Sequence, residues 1–217
     1  MDEQSSKASS LWPPNWPMGL TMLRLLLLPF FLYAVVAGPD HLQSPWRWTA
    51  LAIFAVMALT DKLDGFLARK FNQVSKLGAI LDPVADKLLV TCSVFLLSVE
   101  RIAPQGFAIP WWVVACVYGK DVVVVLGVLL LFSLIGPLQI SARWSGKVST
   151  FLQLILVLVT LMAPDIARFS PQTIAALAPL LWWVVSLVTA WATVDYVMEG
   201  VRRLRRASAR GAGAAAG

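Results

Sequence analysis

The feature that most limits what this chain can fold into is a recurrence of apolar runs close to twenty residues long. LRLLLLPFFLYAVVA from Leu23 and VVVVLGVLLLF from Val122 form the centres of two of them. A helix needs about 20 apolar residues to cross the hydrocarbon of a bilayer. The composition agrees, with 59% hydrophobic and only 14% charged residues, where a soluble domain carries roughly 25% charged. Water cannot solvate such a chain on all sides. The pattern predicts an all-α integral membrane protein with a single helical domain.

Six spans are expected, at about 19–37, 47–71, 78–99, 108–134, 144–163 and 173–204. Pro29 should kink the first. GPDHLQSP, RIAPQG and APDIARFSPQ supply polar breaks. Residues 1–18 read as a juxtamembrane segment, 19–204 as the domain, and 205–217 as a basic tail, small in side chain and disordered. The first residues, MDEQSSKASS, lack the layout of a cleavable signal. No transit segment is visible, so a bacterial inner membrane is the expected location.

Positive charge sets the orientation. Arg69, Lys70, Lys76, Arg143, Lys147, the arginines from Arg202 to Arg210 and Lys7 fall on one side of a six-span layout. Arg47, Arg101 and Arg168 fall on the other. Both termini are therefore expected in the cytoplasm. A basic fringe beside anionic lipid accounts for the net charge of +6 without nucleic acid. The tryptophans, such as Trp46, Trp48, Trp111 and Trp112, fall near span ends as an interfacial belt would. Cys92 and Cys116 lie in apolar runs and read as small hydrophobes. His41, in an external loop, reads as solvated.

Against this background TDKLDGFLARKFNQVSKLGAILDPVADK is anomalous. Asp61, Asp64, Gly65 and Ala68 stand at i, i+3, i+4 and i+7, one face of a helix. Asp82 and Asp86 stand at i, i+4 on the next. An acid at a membrane helix centre costs about 2.5–3.5 kcal/mol on insertion scales, so four need compensating positive charge. Arg69 and Lys87 are too few to supply it alone. Oxygen-only ligands suit Mg2+ or Mn2+, and two ions would clamp the oxygens of a phosphoryl displacement. Gly65, Ala68 and Gly78 leave room for a base and a diphosphate, and Arg69 offers a planar phosphate fork. Helix capping could explain Asp61 or Asp82 singly, but not four carboxylates beside glycines.

Asp61-x2-Asp64-Gly65-x2-Ala68-Arg69-x8-Gly78-x3-Asp82-x3-Asp86 resembles the CDP-alcohol phosphatidyltransferase signature at every fixed position and spacing. The opening NWPMGLTMLR is similar to the family's approach to helix one, with Asn15, Pro17, Leu20, Thr21 and Arg24 in place. The resemblance covers about 15–204. It implies that an acceptor hydroxyl attacks a lipid-linked cytidine diphosphate, usually CDP-diacylglycerol, to give a phosphodiester and CMP. It implies Asp61, Asp64, Asp82 and Asp86 as metal ligands, with Asp86 also the catalytic base. It implies CDP binding at Asp61, Asp64, Gly65, Ala68, Arg69 and Gly78, and a homodimer.

The acceptor is read from elsewhere. SGKVSTFLQ, with Lys147, Thr150 and Gln153, resembles helix five of both the glycerophosphate-using and the cardiolipin-forming branches. Arg143 and Lys147 could bind an acceptor phosphate. Helix four lacks the arginine-rich turn expected of a glycerophosphate enzyme, which favours phosphatidylglycerol and cardiolipin synthesis. The exposed basic cluster favours a small anionic acceptor, and glycerol 3-phosphate is the reading taken. Lys120 and Asp121, mid-helix, suggest a buried ion pair with another helix or, as the second reading, a place in the acceptor pocket, while Asp195 and Glu199 should pair with nearby Lys or Arg. A divalent-cation transporter would want its acids at mid-membrane. A membrane prenyltransferase would place its aspartate motifs further apart than the 26 residues from Asp61 to Asp86.

Overall fold

A computed structural model describes residues 16–37, 45–71, 78–104, 106–135 and 143–215, with side chains described for 19, 22–37, 45–60, 84–104, 106–134 and 143–206. The described chain is helical, with no strand among these residues. Six helices follow in order: α1 Trp16–Ala37, α2 Pro45–Phe71, α3 Gly78–Leu96, α4 Trp111–Ile135, α5 Trp144–Phe169 and α6 Pro171–Ala215. Among the described residues three stretches are long and apolar enough to cross a membrane, Trp111–Leu134, Trp144–Phe169 and Pro171–Arg206, and Met22–Ala37 is a shorter apolar helix.

One compact unit is built from α1, α2 and α3 as far as Leu89. Its core follows helical spacing. Phe31, Ala34 and Val35 of α1 are buried, as are Ala50, Phe54 and Met57 of α2. The rings of Phe31 and Phe54 lie 5.7 Å apart. Tyr33 meets Trp46 edge-on at 5.6 Å, a favoured aromatic geometry. Arg47 lies over the Trp48 ring at 5.3 Å, a cation–π contact that eases its burial.

The second unit runs from Val90 through α4, α5 and α6. The turn after α3 is fastened by Ile109 N–H donating to the Leu97 carbonyl at 2.8 Å, and Gly106 supplies a left-handed φ of 78° there. α6 packs on both α4 and α5. The buried stripe of α5 is half polar, with Ser145, Ser149, Gln153 and Thr160 beside Leu156, Val157 and Leu161. The outward faces are apolar instead: Leu126, Phe132, Leu180, Trp183 and Leu187 are each about three-fifths exposed. A surface of this kind is stable against lipid rather than water.

Two boundaries differ from the sequence reading by more than three residues. APDIARFSPQ was expected to be a loop, yet α5 runs through Pro164 to Phe169. Proline is tolerated inside such helices when neighbours satisfy the freed backbone. Pro164 is itself buried, in a helix packed on α6. Ser170 alone separates α5 from α6. Its N–H donates to the Ile166 carbonyl at 2.8 Å, its Oγ pairs with Thr173 Oγ1 at 2.8 Å, and the Thr173 N–H donates to the same Oγ at 3.4 Å. One residue thus ends one helix and starts the next, with Pro171 at a position where proline is favoured. At the other end α6 continues to Ala215, into the stretch read as a tail, which is rich in the strong helix formers alanine and arginine.

Candidate active site

Both halves of the aspartate signature lie on helix. Asp61, Asp64, Gly65, Ala68 and Arg69 belong to α2, and Gly78, Asp82 and Asp86 to α3. The side chains of Asp61, Asp64, Ala68, Arg69 and Asp82, and the surroundings of Gly65 and Gly78, lie outside the described residues. Asp86 is described, and it is the informative position. Its Oδ1 accepts a hydrogen bond from Arg24 Nη1 of α1, forming an ion pair across 62 positions of sequence.

The two partners are unlike. The Arg24 side chain is 1% exposed and that of Asp86 36%. A fully buried guanidinium is expensive unless paired, so Arg24 belongs in this unit only as the counter-ion of an acid. Asp86 in turn has one oxygen fixed by a charge-assisted hydrogen bond while its side chain stays accessible. Arg24 is therefore part of the positive charge that the carboxylates require. Its position inside LRLLLL was the available signal, because a cation within an apolar run is itself a functional suspect. Lys87 is exposed.

A second polar centre lies in the other unit, where the start of α5 meets α6. Arg143 donates from Nε to Asp195 Oδ2 at 2.7 Å and from Nη1 to Glu199 Oε2 at 3.0 Å. Ser145 Oγ donates to the same Asp195 oxygen at 2.6 Å. Arg203 Nε donates to Glu199 Oε1 at 3.0 Å. Desolvation works against the Arg143 charge, but its bonds to Glu199 and Asp195 outweigh it and raise its pKa above the ordinary arginine value. Lys147, three residues into α5, is exposed. The network borders a cavity of about 630 Å³ whose walls include Val124, Gly127, Leu131, Trp191 and Gly200. Asp195 and Glu199 thus pair with arginine, as their position suggested.

Deeper in this unit Lys120 is buried, donating to Ser149 Oγ at 3.2 Å and lying 3.6 Å from Asp121. Ser149 is also bonded to Thr189 at 3.1 Å and to Gln153 at 3.2 Å. The cation therefore reaches α5 through a hydroxyl, with the adjacent Asp121 carboxylate beside it. Cys92 and Cys116 are free and partly buried.

The sequence from residue 14 to 197 matches the CDP-alcohol phosphatidyltransferase family. The chain belongs to that family. Among its relatives is a probable phosphatidylglycerophosphate synthase of Mycobacterium tuberculosis, 34% identical over 184 residues, covering 84% of this chain and 80% of the relative. A CDP-diacylglycerol--glycerol-3-phosphate 3-phosphatidyltransferase of Escherichia coli is 32% identical over 187 residues, covering 84% and 93%. One of the same description from Shigella flexneri is 30% identical over the same length. A CDP-alcohol phosphatidyltransferase has to work where its lipid substrate lies, which the apolar helices fit.

Proposed function

We propose that this CDP-alcohol phosphatidyltransferase transfers the phosphatidyl group of CDP-diacylglycerol to glycerol 3-phosphate and releases CMP. The observation that carries the reading is the Arg24–Asp86 pair, which gives the last carboxylate of the signature a fixed oxygen and an accessible side chain. The names of the relatives support the acceptor. The reaction takes place at the cytoplasmic face of a bacterial inner membrane, in a protein crossing it six times with both termini inside.

The acceptor hydroxyl oxygen forms a new bond to the phosphorus bearing diacylglycerol. The bond from that phosphorus to the bridging oxygen breaks, and CMP leaves with its electron pair. Asp86 takes the hydroxyl proton, since a base within hydrogen-bond reach of the nucleophile is the first requirement of general base catalysis. Arg24 orients Asp86 and balances its charge. Gly65, Ala68 and Gly78 admit the cytidine diphosphate, Arg69 binds its phosphates, and Lys147 meets the phosphate of the acceptor.

Asp61, Asp64, Asp82 and Asp86 form an all-oxygen donor set, which fits Mg2+ or Mn2+ and not a soft metal. When bound, two such ions supply charge neutralisation for the diphosphate and the leaving CMP.

The test is CMP release by purified protein given CDP-diacylglycerol and Mg2+, with glycerol 3-phosphate and phosphatidylglycerol in separate reactions. Release with glycerol 3-phosphate alone, lost in Asp86→Asn, is the expected result. Release with phosphatidylglycerol alone would make the chain a cardiolipin synthase, and release that survives Asp86→Asn would remove the base from the mechanism.

A further inference from the structure

α5 begins without the usual means of holding a helix start. Four backbone N–H groups at any helix N-terminus lack intrahelical partners, and a side-chain cap or nearby acids normally answer them. Here the residue preceding the helix is Arg143, its side chain makes no capping bond, and the first turn contains no acid. The sequence WSGK at this point places a glycine there as well, and glycine weakens a helix.

The acids that the first turn lacks are supplied by α6, which holds the side chains of the turn rather than its N–H groups. Asp195 takes hydrogen bonds from both Ser145 and Arg143, and Glu199 takes a further one from Arg143. These carboxylates lie beside the positive end of the α5 dipole, where negative charge is favoured. Arg203 braces Glu199 from one turn further along α6. Tyr196 closes the arrangement against Gly146: a Cβ built on that glycine would stand 2.6 Å from the Tyr196 hydroxyl. The side chain of Tyr196 therefore lies on the α5 backbone itself.

Lys147 is joined to this clamp through the main chain. Its N–H donates to the Arg143 carbonyl at 3.3 Å, the first hydrogen bond of the helix. The residue whose carbonyl anchors Lys147 is thus the residue whose guanidinium is held by Asp195 and Glu199.

We propose that Asp195, with Glu199, is a positioning residue for the acceptor: it clamps the first turn of α5 through Arg143 and Ser145 and so fixes where Lys147 presents its ammonium to the acceptor phosphate. This rests on the reading of Lys147 given above. Arg143, in this arrangement, is a structural arm and not an acceptor ligand. A long flexible lysine makes a well-placed ligand only if its backbone is held, and a misplacement of about 1 Å can cost up to ~100-fold in rate.

The experiment measures CMP release by the full chain in detergent. KM for glycerol 3-phosphate and KM for CDP-diacylglycerol are obtained for wild type, Asp195→Ala and Ser145→Ala, with amide hydrogen exchange followed across 145–150. Asp195→Ala is expected to raise the acceptor KM about tenfold or more and to leave KM for CDP-diacylglycerol within about twofold, with faster exchange in the first turn of α5. Ser145→Ala, which removes a single hydrogen bond and keeps the ion pair, is expected to move the same quantities less, and it decides the matter should Asp195→Ala not fold. Faster exchange with an unchanged acceptor KM overturns the proposal, as does an equal rise in both KM values, the mark of general loosening. Absence of wild-type turnover with glycerol 3-phosphate is instead a failure of the acceptor reading. The same pair of KM values is then taken with phosphatidylglycerol, whose phosphate poses the same demand on Lys147.

Discussion

Asp86 and Arg24 show how much one residue pair can decide in a membrane protein. A lysine at position 24 would keep the charge but lose the planar fork that grips a carboxylate oxygen. Arg24→Lys is therefore expected to keep the fold, with an unfolding midpoint close to that of wild type, while CMP release falls about tenfold or more. Arg24→Leu removes one partner of a buried pair, a change that costs about 3–5 kcal/mol in such settings. It should lower the thermal midpoint in detergent as well as the turnover, and an undiminished midpoint would show that the pair carries no structural load. This pairing was not legible in the sequence. Helical periodicity says which positions share a face of one helix, but it does not say which residue 62 positions away completes the charge. The aspartates themselves were legible, because their pattern is local.

At the scale of elements, the starts of α3 and α5 were read to the residue, while the ends of α5 and α6 were not. Trp144 and Gly78 open α5 and α3 where the sequence placed them. Pro164 misled because proline in a water-exposed helix usually stops it, whereas burial against α6 lets α5 run on for another turn and more. The tight approach of Tyr196 to Gly146 gives a prediction at this scale. Gly146→Ala must displace the tyrosine, and overpacking of this sort costs about 1–3 kcal/mol. Adding Tyr196→Phe deletes the nearest atom, the hydroxyl, so the double variant should recover part of the lost thermal midpoint. A double variant no more stable than Gly146→Ala would mean that the clash is relieved by a shift of the helices instead.

For the whole molecule, the orientation proposed from the loop charges is one that labelling can test. With Cys92 and Cys116 replaced by serine, a cysteine at the exposed position 101, in the turn after α3, is expected to react with a membrane-impermeant maleimide on intact spheroplasts. Cysteines introduced at 7 and 217 should react only after lysis. The opposite pattern would invert the orientation and put the aspartate signature on the wrong side for a cytoplasmic nucleotide. Removing divalent ions gives a second check at this scale: excess EDTA should abolish CMP release and Mg2+ or Mn2+ restore it, while activity that persists through chelation would remove metal from the reading.

The single serine between α5 and α6 has a consequence for how such a chain is made. A joint of one residue offers no slack, so neither helix can wait in the bilayer while the other is threaded across. The pair has to enter as one hairpin during synthesis. A spacer of glycine and serine residues placed after Ser170 would uncouple that event, and its signature would be a lower yield of inserted protein with unchanged turnover per inserted molecule.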